Sequence, residues 1–195
     1  MTRNFILISL LLSMSCNSEK PKQAFLAPDA NDINEIVKTI ISTDSLSVRA
    51  NSPLSADLTK ITIVSKNTDT VPPPIGTSNL PVTSLLDAYS NKYFSKKDSA
   101  YLFFQNKIIH SFRLEGTFSK LINLTDNNQV IKSRTKQHGF FRYYEISLPI
   151  FSMDRKIAYV TIDYHCPLCG YGMAILLRKM NGKWKIITQT ETWIS

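Results

Sequence analysis

Met180-Asn181-Gly182-Lys183 stands between two runs rich in β-branched and aromatic residues. Asn and Gly both tolerate positive φ, which a two-residue type I′ turn needs at both central positions. The pair therefore predicts a β-hairpin, and a hairpin's turn sets its register. Lys179 is expected opposite Trp184, Leu177 opposite Ile186, and Ile175 opposite Thr188.

Two further strands are expected upstream. Ala158, Val160, Ile162 and Tyr164 alternate with Tyr159, Thr161, Asp163 and His165. Period two marks a strand with one apolar face. Tyr144, Ile146, Leu148 and Ile150 alternate in the same way with Glu145, Ser147 and Pro149. A three-residue loop within Ser152-Met153-Asp154-Arg155 would set Ile146 opposite Ile162 and Leu148 opposite Val160. A slip of one residue would mix apolar and polar faces, so the pattern selects this register. The result is a meander of four antiparallel strands in sequence order.

The N-terminal half reads as helix and connector. Ile33, Ile36, Val37, Ile40 and Ile41 form one helical stripe, with Asp29 or Asn31 as N-cap. Such a stripe more often packs on a core than on a partner. Leu58 to Val64 reads as a strand. Thr68 to Asn79, with Pro72-Pro73-Pro74 and Gly76, reads as a stiff loop. Val82 to Tyr93 reads as a short helix burying Leu85, Leu86 and Tyr89. Ser99 to Phe104 is strand or helix turn, and Ile108 to Asn128 is equally open. Gln129 to Gly139 is a polar, basic connection.

The first residues carry an address. Arg3 precedes an apolar run from Phe5 to Leu12, and Ser13-Met14-Ser15 supplies small residues before Cys16. That is the layout of a signal peptide over residues 1–15. The run falls short of the roughly 20 residues a spanning helix needs. LLLSMSCNSEK resembles the lipobox of bacterial lipoproteins, whose Cys is diacylated and becomes the mature N-terminus. Ser13 takes the place where that motif has Leu, and Leu12 lies one residue further away. The alternative is ordinary cleavage after Ser15. The resemblance implies lipidation of Cys16, a tether over residues 16–28 like that of Bacteroidota lipoproteins, a single domain over 29–195, and a place in the cell envelope on the outer membrane, periplasmic or surface-facing. The partner it implies is the membrane, through the lipid.

Lys and Arg number 23 against 15 Asp and Glu, a net charge of +8. The basic residues are scattered, with no dense block or nucleic-acid signature, and export argues against nucleic acid as a partner. A tethered basic domain would sit near anionic membrane groups; a merely solvated surface explains the charge as well.

Two places could carry chemistry. Cys166-Pro167-Leu168-Cys169 is a C-x-x-C, an even pair once Cys16 is lipidated. In an exported chain it reads first as a structural disulfide. A redox pair would usually open a helix, whose N-terminus lowers the thiol pKa; here Gly170-Tyr171-Gly172 leads into a strand. Zinc wants four ligands, and only His165 is near in sequence, with His110 and His138 distant. The second place is the meander's other face, where Glu145 falls opposite Asp163 and Tyr143 opposite His165. Facing carboxylates destabilise a strand pair, and burial would raise one pKa. Beside a His they would suit acid/base work. Solvent exposure, neutralisation by Arg142 or another cation, or a different register are the plain alternatives. No G-x-S-x-G, H-E-x-x-H, P-loop or G-x-G-x-x-G occurs.

The stretch from Ser147 to Ser195 resembles the end of uncharacterised Bacteroidota lipoproteins, which share S-x-P-x-F, C-x-x-C-G-x-G, N-G-K-W and a final W-I-S. Ser147, Pro149, Phe151, Cys166, Cys169, Gly170, Gly172, Asn181, Gly182, Lys183, Trp184 and Trp193 fit that pattern. Pro167 stands where many such members have Gly. The resemblance carries no assigned activity. Helices followed by a curved meander also resemble NTF2-like and cystatin-like folds, which host enzymes and binding modules alike. The expected fold is α+β, with N-terminal helices packed on one face of a C-terminal antiparallel meander. The expected role is a non-catalytic binding or structural module for a small ligand or an envelope protein, with no cofactor and no metal. The alternatives are a hydrolase-type enzyme using Glu145, Asp163 and His165, and a thiol-redox protein using Cys166 and Cys169.

Overall fold

The structure is a computed structural model and describes residues 25–43, 52–65, 78–86, 93–108, 111–126, 142–166 and 168–195. The signal segment, Cys16, the Pro72–Pro74 loop, Tyr89, His110, His138, Pro167 and the 129–139 connection lie outside these residues. In chain order the elements are α1 (Ala30–Ile41), β1 (Leu54–Ser55), β2 (Ile61–Val64), β3 (Ser78–Pro81), α2 (Val82–Leu86), α3 (Ser99–Ile108), β4 (Leu124–Thr125), β5 (Tyr143–Ile146), β6 (Ile150–Phe151), β7 (Ile157–His165), β8 (Tyr171–Met180) and β9 (Lys183–Ile194). The fold is α+β.

The meander forms as the alternation predicts, with β5, β7, β8 and β9 neighbouring in sequence order and antiparallel. Asn181 and Gly182 turn at φ 51° and 77°, the conformations that only such residues take without strain. Beyond β5 the sheet continues with β1 and β4, both parallel, so the whole is mixed. The strand expected over Leu58 to Val64 divides. Ile61–Val64 becomes β2 and pairs with β3 in a separate parallel ribbon, which takes in Ser78 and Asn79 from the expected loop. Thr59 instead bridges to Ser147.

Three register details differ from simple counting. Leu177 faces Ile186, but Leu176 faces Thr188 and Ile175 faces Gln189, because Ile187 is a bulge; a second shift follows between Gly172 and Met173. Upstream, Ile146 faces Ile162 as expected. Leu148 does not pair with Val160; its N–H donates to Thr59 O at 2.8 Å. Pro149 has no N–H to give a ladder, and the chain gains one residue there, so Ile150 faces Tyr159 and Phe151 faces Ala158. The Ser152 N–H donates to Ile157 O, closing a four-residue loop with Arg155 at φ 55° in place of the expected three. One extra residue exchanges faces: Phe151 enters the main core and Ile150 the opposite one.

Each sheet face has its own cover. The even side of β7 (Ala158, Val160, Ile162, Tyr164) packs with Ile146, Ile175, Leu177 and Trp184 under α1. Asp29 caps α1, its Oδ1 accepting the Asn31 N–H at 2.9 Å. Twelve residues are marginal as a free helix in water. Burial of Ile36, Val37 and Ile40 at 0% exposure decides the matter, each contributing about 1.5–3 kcal/mol. The Asp32 carboxylate also accepts from Trp184 Nε1 at 3.0 Å and pairs with Lys179 Nζ at 2.5 Å, fastening α1 to the hairpin.

On the other face, Ile157 and Ile150 join Ile61, Ile63, Val82, Leu85, Phe94 and Leu102 in a second cluster. The helices therefore divide between the two faces instead of sharing one. α3 spans both clusters, with Tyr101 in the first and Leu102 in the second. Its Gln105, 5% exposed, donates to Phe151 O at 2.8 Å and accepts from Phe151 N–H at 2.9 Å. Residues assigned to the tether are part of the fold: Phe25 packs on Tyr101 and Phe104 at 5.5 and 5.2 Å, and Tyr101 OH donates to Leu26 O at 2.9 Å.

Candidate functional site

The upper end of the second face gathers the residues nominated for acid/base work. β5 and β7 place Glu145 opposite Asp163 and Tyr143 opposite His165. The carboxylates do not face each other unrelieved. His165 Nε2 lies 2.6 Å from Glu145 Oε2, with both side chains about one-quarter exposed. The His165 ring stacks on Tyr143 at 4.5 Å and 15°. Arg142, the cation nominated by sequence, is exposed; His165 takes the partner's place instead.

Asp163 has a different donor. Trp193 Nε1 gives its hydrogen to Asp163 Oδ1 at 2.6 Å. Burial pushes the Asp163 carboxyl above the usual carboxylate range; the Trp193 hydrogen bond and the His165 charge oppose this, and Glu145 adds to it. Trp193 reaches Asp163 by crossing Gly172, its partner across the β8–β9 ladder. A Cβ on Gly172 would stand 2.6 Å from Asp163 Oδ1, with the indole Nε1 and Cδ1 nearer still, and one on Gly170 would stand 2.9 Å from the indole ring. The glycines of C-G-x-G thus make room for a tryptophan. Sequence reading missed this role. Counting back from the turn puts Trp193 opposite Gly170; the two bulges move it to Gly172 and, being two, restore its face.

Cys166 and Cys169 lie at disulfide-bonding distance, with Cα atoms 5.4 Å apart. Cys166 is half-buried, while Cys169 is exposed and Leu168 is 91% exposed. β8 begins at Tyr171, so the pair leads into a strand and not into a helix. The loop is closed by Gly170 N–H to Ser195 Oγ at 3.0 Å and Ser195 N–H to Gly170 O at 2.9 Å. Among the described residues no group of three His, Cys, Asp or Glu side chains is placed to hold a metal ion.

Lower on the same face lies a cleft of about 270 Å³. Its floor is the sheet: Tyr159 from β7, Ala174 and Leu176 from β8, Thr188 and Thr190 from β9. Its wall is Ser84 and Leu85 of α2 with Tyr93, and Arg178 stands 5.9 Å from the Tyr93 ring centroid. Tyr159, Thr161 and Asp163 share this face at two-residue steps, so Tyr159 lies about 13 Å along β7 from the acidic pair and the nearer cleft row, at Ala174, only about 7 Å. Burial, helped by the Asp163 charge, pushes the Tyr159 phenol up to about 12; at neutral pH it remains a hydrogen-bond donor. Sequence periodicity identified Tyr159 as a residue of this face but not the cleft, whose wall comes from α2 and Tyr93.

Comparison of the chain with models of known families, with curated proteins and with solved structures finds no match.

Proposed function

We propose that this chain is a non-catalytic small-ligand-binding module of the cell envelope, tethered through a lipid on Cys16. The observation that carries the binding half is the cleft between α2 and the second sheet face, where hydroxyl and apolar side chains converge on a space of about 270 Å³. That lies just below the roughly 300–1,000 Å³ of ordinary ligand pockets, a size for a single-ring molecule. The tether rests on the lipobox-like LLLSMSC alone.

A hydrolase built on Glu145, Asp163 and His165 has less support. Each carboxylate already accepts a short hydrogen bond, Glu145 with His165 and Asp163 with Trp193. A general base has to reach a substrate proton, and these oxygens are turned toward partners within the fold.

Amide chemical-shift mapping with a mixed small-molecule library tests the binding half. Shifts are expected at Tyr159, Ala174 and Thr188, and Ala174→Phe, which fills the cleft floor, should abolish them while spectral dispersion is kept. Shifts confined to other surfaces, or none, would overturn it. Intact mass of the mature protein from native membranes tests the tether, with a diacyl adduct at Cys16 expected and an unmodified N-terminus against it.

A further inference from the structure

The cleft floor has a pattern that selects among small ligands. Two ladder rows cross it: Tyr159, Leu176 and Thr188 in one, and Ala174 with Thr190 in the next. Leu176 and Ala174 are the centre, and hydroxyls flank them on both sides. Tyr159 and Thr188 are two strand spacings apart, about 10 Å between backbones. The hydroxyls of Tyr159, Thr188 and Thr190 have no hydrogen-bond partner among the described residues. Among the described residues that line the space none carries a carboxylate or an ammonium group, and the Arg178 guanidinium stands over the Tyr93 ring at the wall.

From this arrangement we infer that the cleft takes a neutral carbohydrate ring, a pyranose with equatorial hydroxyls. Such a ring has apolar C–H faces and a polar rim. Laid flat, it would set a C–H face on Leu176 and Ala174 and present its rim to Tyr159 on one side and Thr188 and Thr190 on the other. The Tyr93 ring at the wall offers a further apolar surface. A charged sugar would lose hydration with no counter-charge among the described lining residues to replace it, the nearby Arg178 guanidinium being engaged over the Tyr93 ring. A plain hydrocarbon ring would leave the flanking hydroxyls without partners, which is how a polar-rimmed site rejects an analogue lacking hydroxyls. The inference rests on the small-ligand reading and gives it a substrate class.

The test is an amide-shift titration of the folded chain with methyl β-D-glucopyranoside, run beside D-glucuronate, D-glucosamine and cyclohexanol. The neutral pyranoside should shift Ala174, Leu176 and Thr188 and saturate. The other three should bind at least about tenfold more weakly. Thr188→Val with Thr190→Val keeps shape and β-branching and removes two hydroxyls. It should weaken the pyranoside about tenfold or more and leave cyclohexanol unchanged. If cyclohexanol or a charged sugar shifts these amides and the pyranoside does not, the carbohydrate inference fails and the small-ligand reading stands. If neither these probes nor a broad library shifts them, both fail.

Discussion

Gly172→Ala should destabilise this protein, against the usual sign for a glycine in a strand. Ala in place of Gly normally helps an extended segment by about 0.5–1 kcal/mol, because less backbone entropy is lost on folding. Here the new Cβ would overlap the Trp193 indole and crowd Asp163 Oδ1 at 2.6 Å. The indole must swing away, and its bond to Asp163 breaks. A hydrogen bond to a charged group contributes about 1.5–3 kcal/mol. Trp193 is 38% exposed, so the lower half of that range applies. Net of the backbone gain, the loss is about 0.5–1.8 kcal/mol. For a chain of this size that is a fall in Tm of about 1–7 °C. The double-mutant cycle with Trp193→Ala isolates the cause. Urea denaturation of the four proteins should show Gly172→Ala costing stability only when Trp193 is present, and becoming neutral or mildly stabilising without it. Equal cost in both backgrounds would refute the account of the glycine.

Two further substitutions probe the site and its support. Asp163→Asn should stabilise the fold at neutral pH, since Asn Oδ1 can still accept from Trp193 while the buried charge is gone. The sign follows from the raised carboxyl: the folded state holds the Asp163 proton more readily than the unfolded chain does, so ionisation works against the fold as pH rises past about 3.9. The advantage of Asn should therefore shrink as pH falls through the raised range of the folded carboxyl and be gone below about 4, read from paired thermal melts; a less stable Asn variant at pH 7 would mean that the charged hydrogen bond outweighs burial. Gln105→Ala should cost about 2–4 kcal/mol, because it leaves both the N–H and the C=O of Phe151 without their buried partner. Urea midpoints measure it, and a loss under about 0.5 kcal/mol would show that water fills the gap.

The C-terminal half was largely legible because its signals are local. Asn181-Gly182 prescribes its turn, and strict alternation along β7 assigns Val160 and Ile162 to one face and Tyr159 and Asp163 to the other. The facing of Glu145 and Asp163 followed from the alternation with a three-residue loop, and it holds because the extra residue near Pro149 offsets the four-residue loop that forms instead. What escaped depends on partners far away in sequence. β1 and β4 are two residues each, too short for any period, and exist because β5 offers an edge to β1 and β1 offers one to β4. The bulge at Leu148-Pro149 was hinted at by proline, yet only the packing shows that Phe151 and Ile150 exchange faces. α3 was ambiguous because it touches two cores, so its apolar residues do not keep to one stripe. His165 was placed correctly but its role was not: its ring hydrogen-bonds Glu145, which periodicity cannot reveal. The cleft was invisible because its floor and wall come from four separate elements.

The central claim is that the α2–sheet cleft holds a small molecule. Native mass spectrometry of the protein isolated gently from its native host, beside an Ala174→Phe variant prepared identically, tests it most directly. The account predicts a small neutral adduct on the parent protein that is absent from the variant. An adduct-free parent, or an adduct of equal mass and occupancy on both proteins, would contradict it.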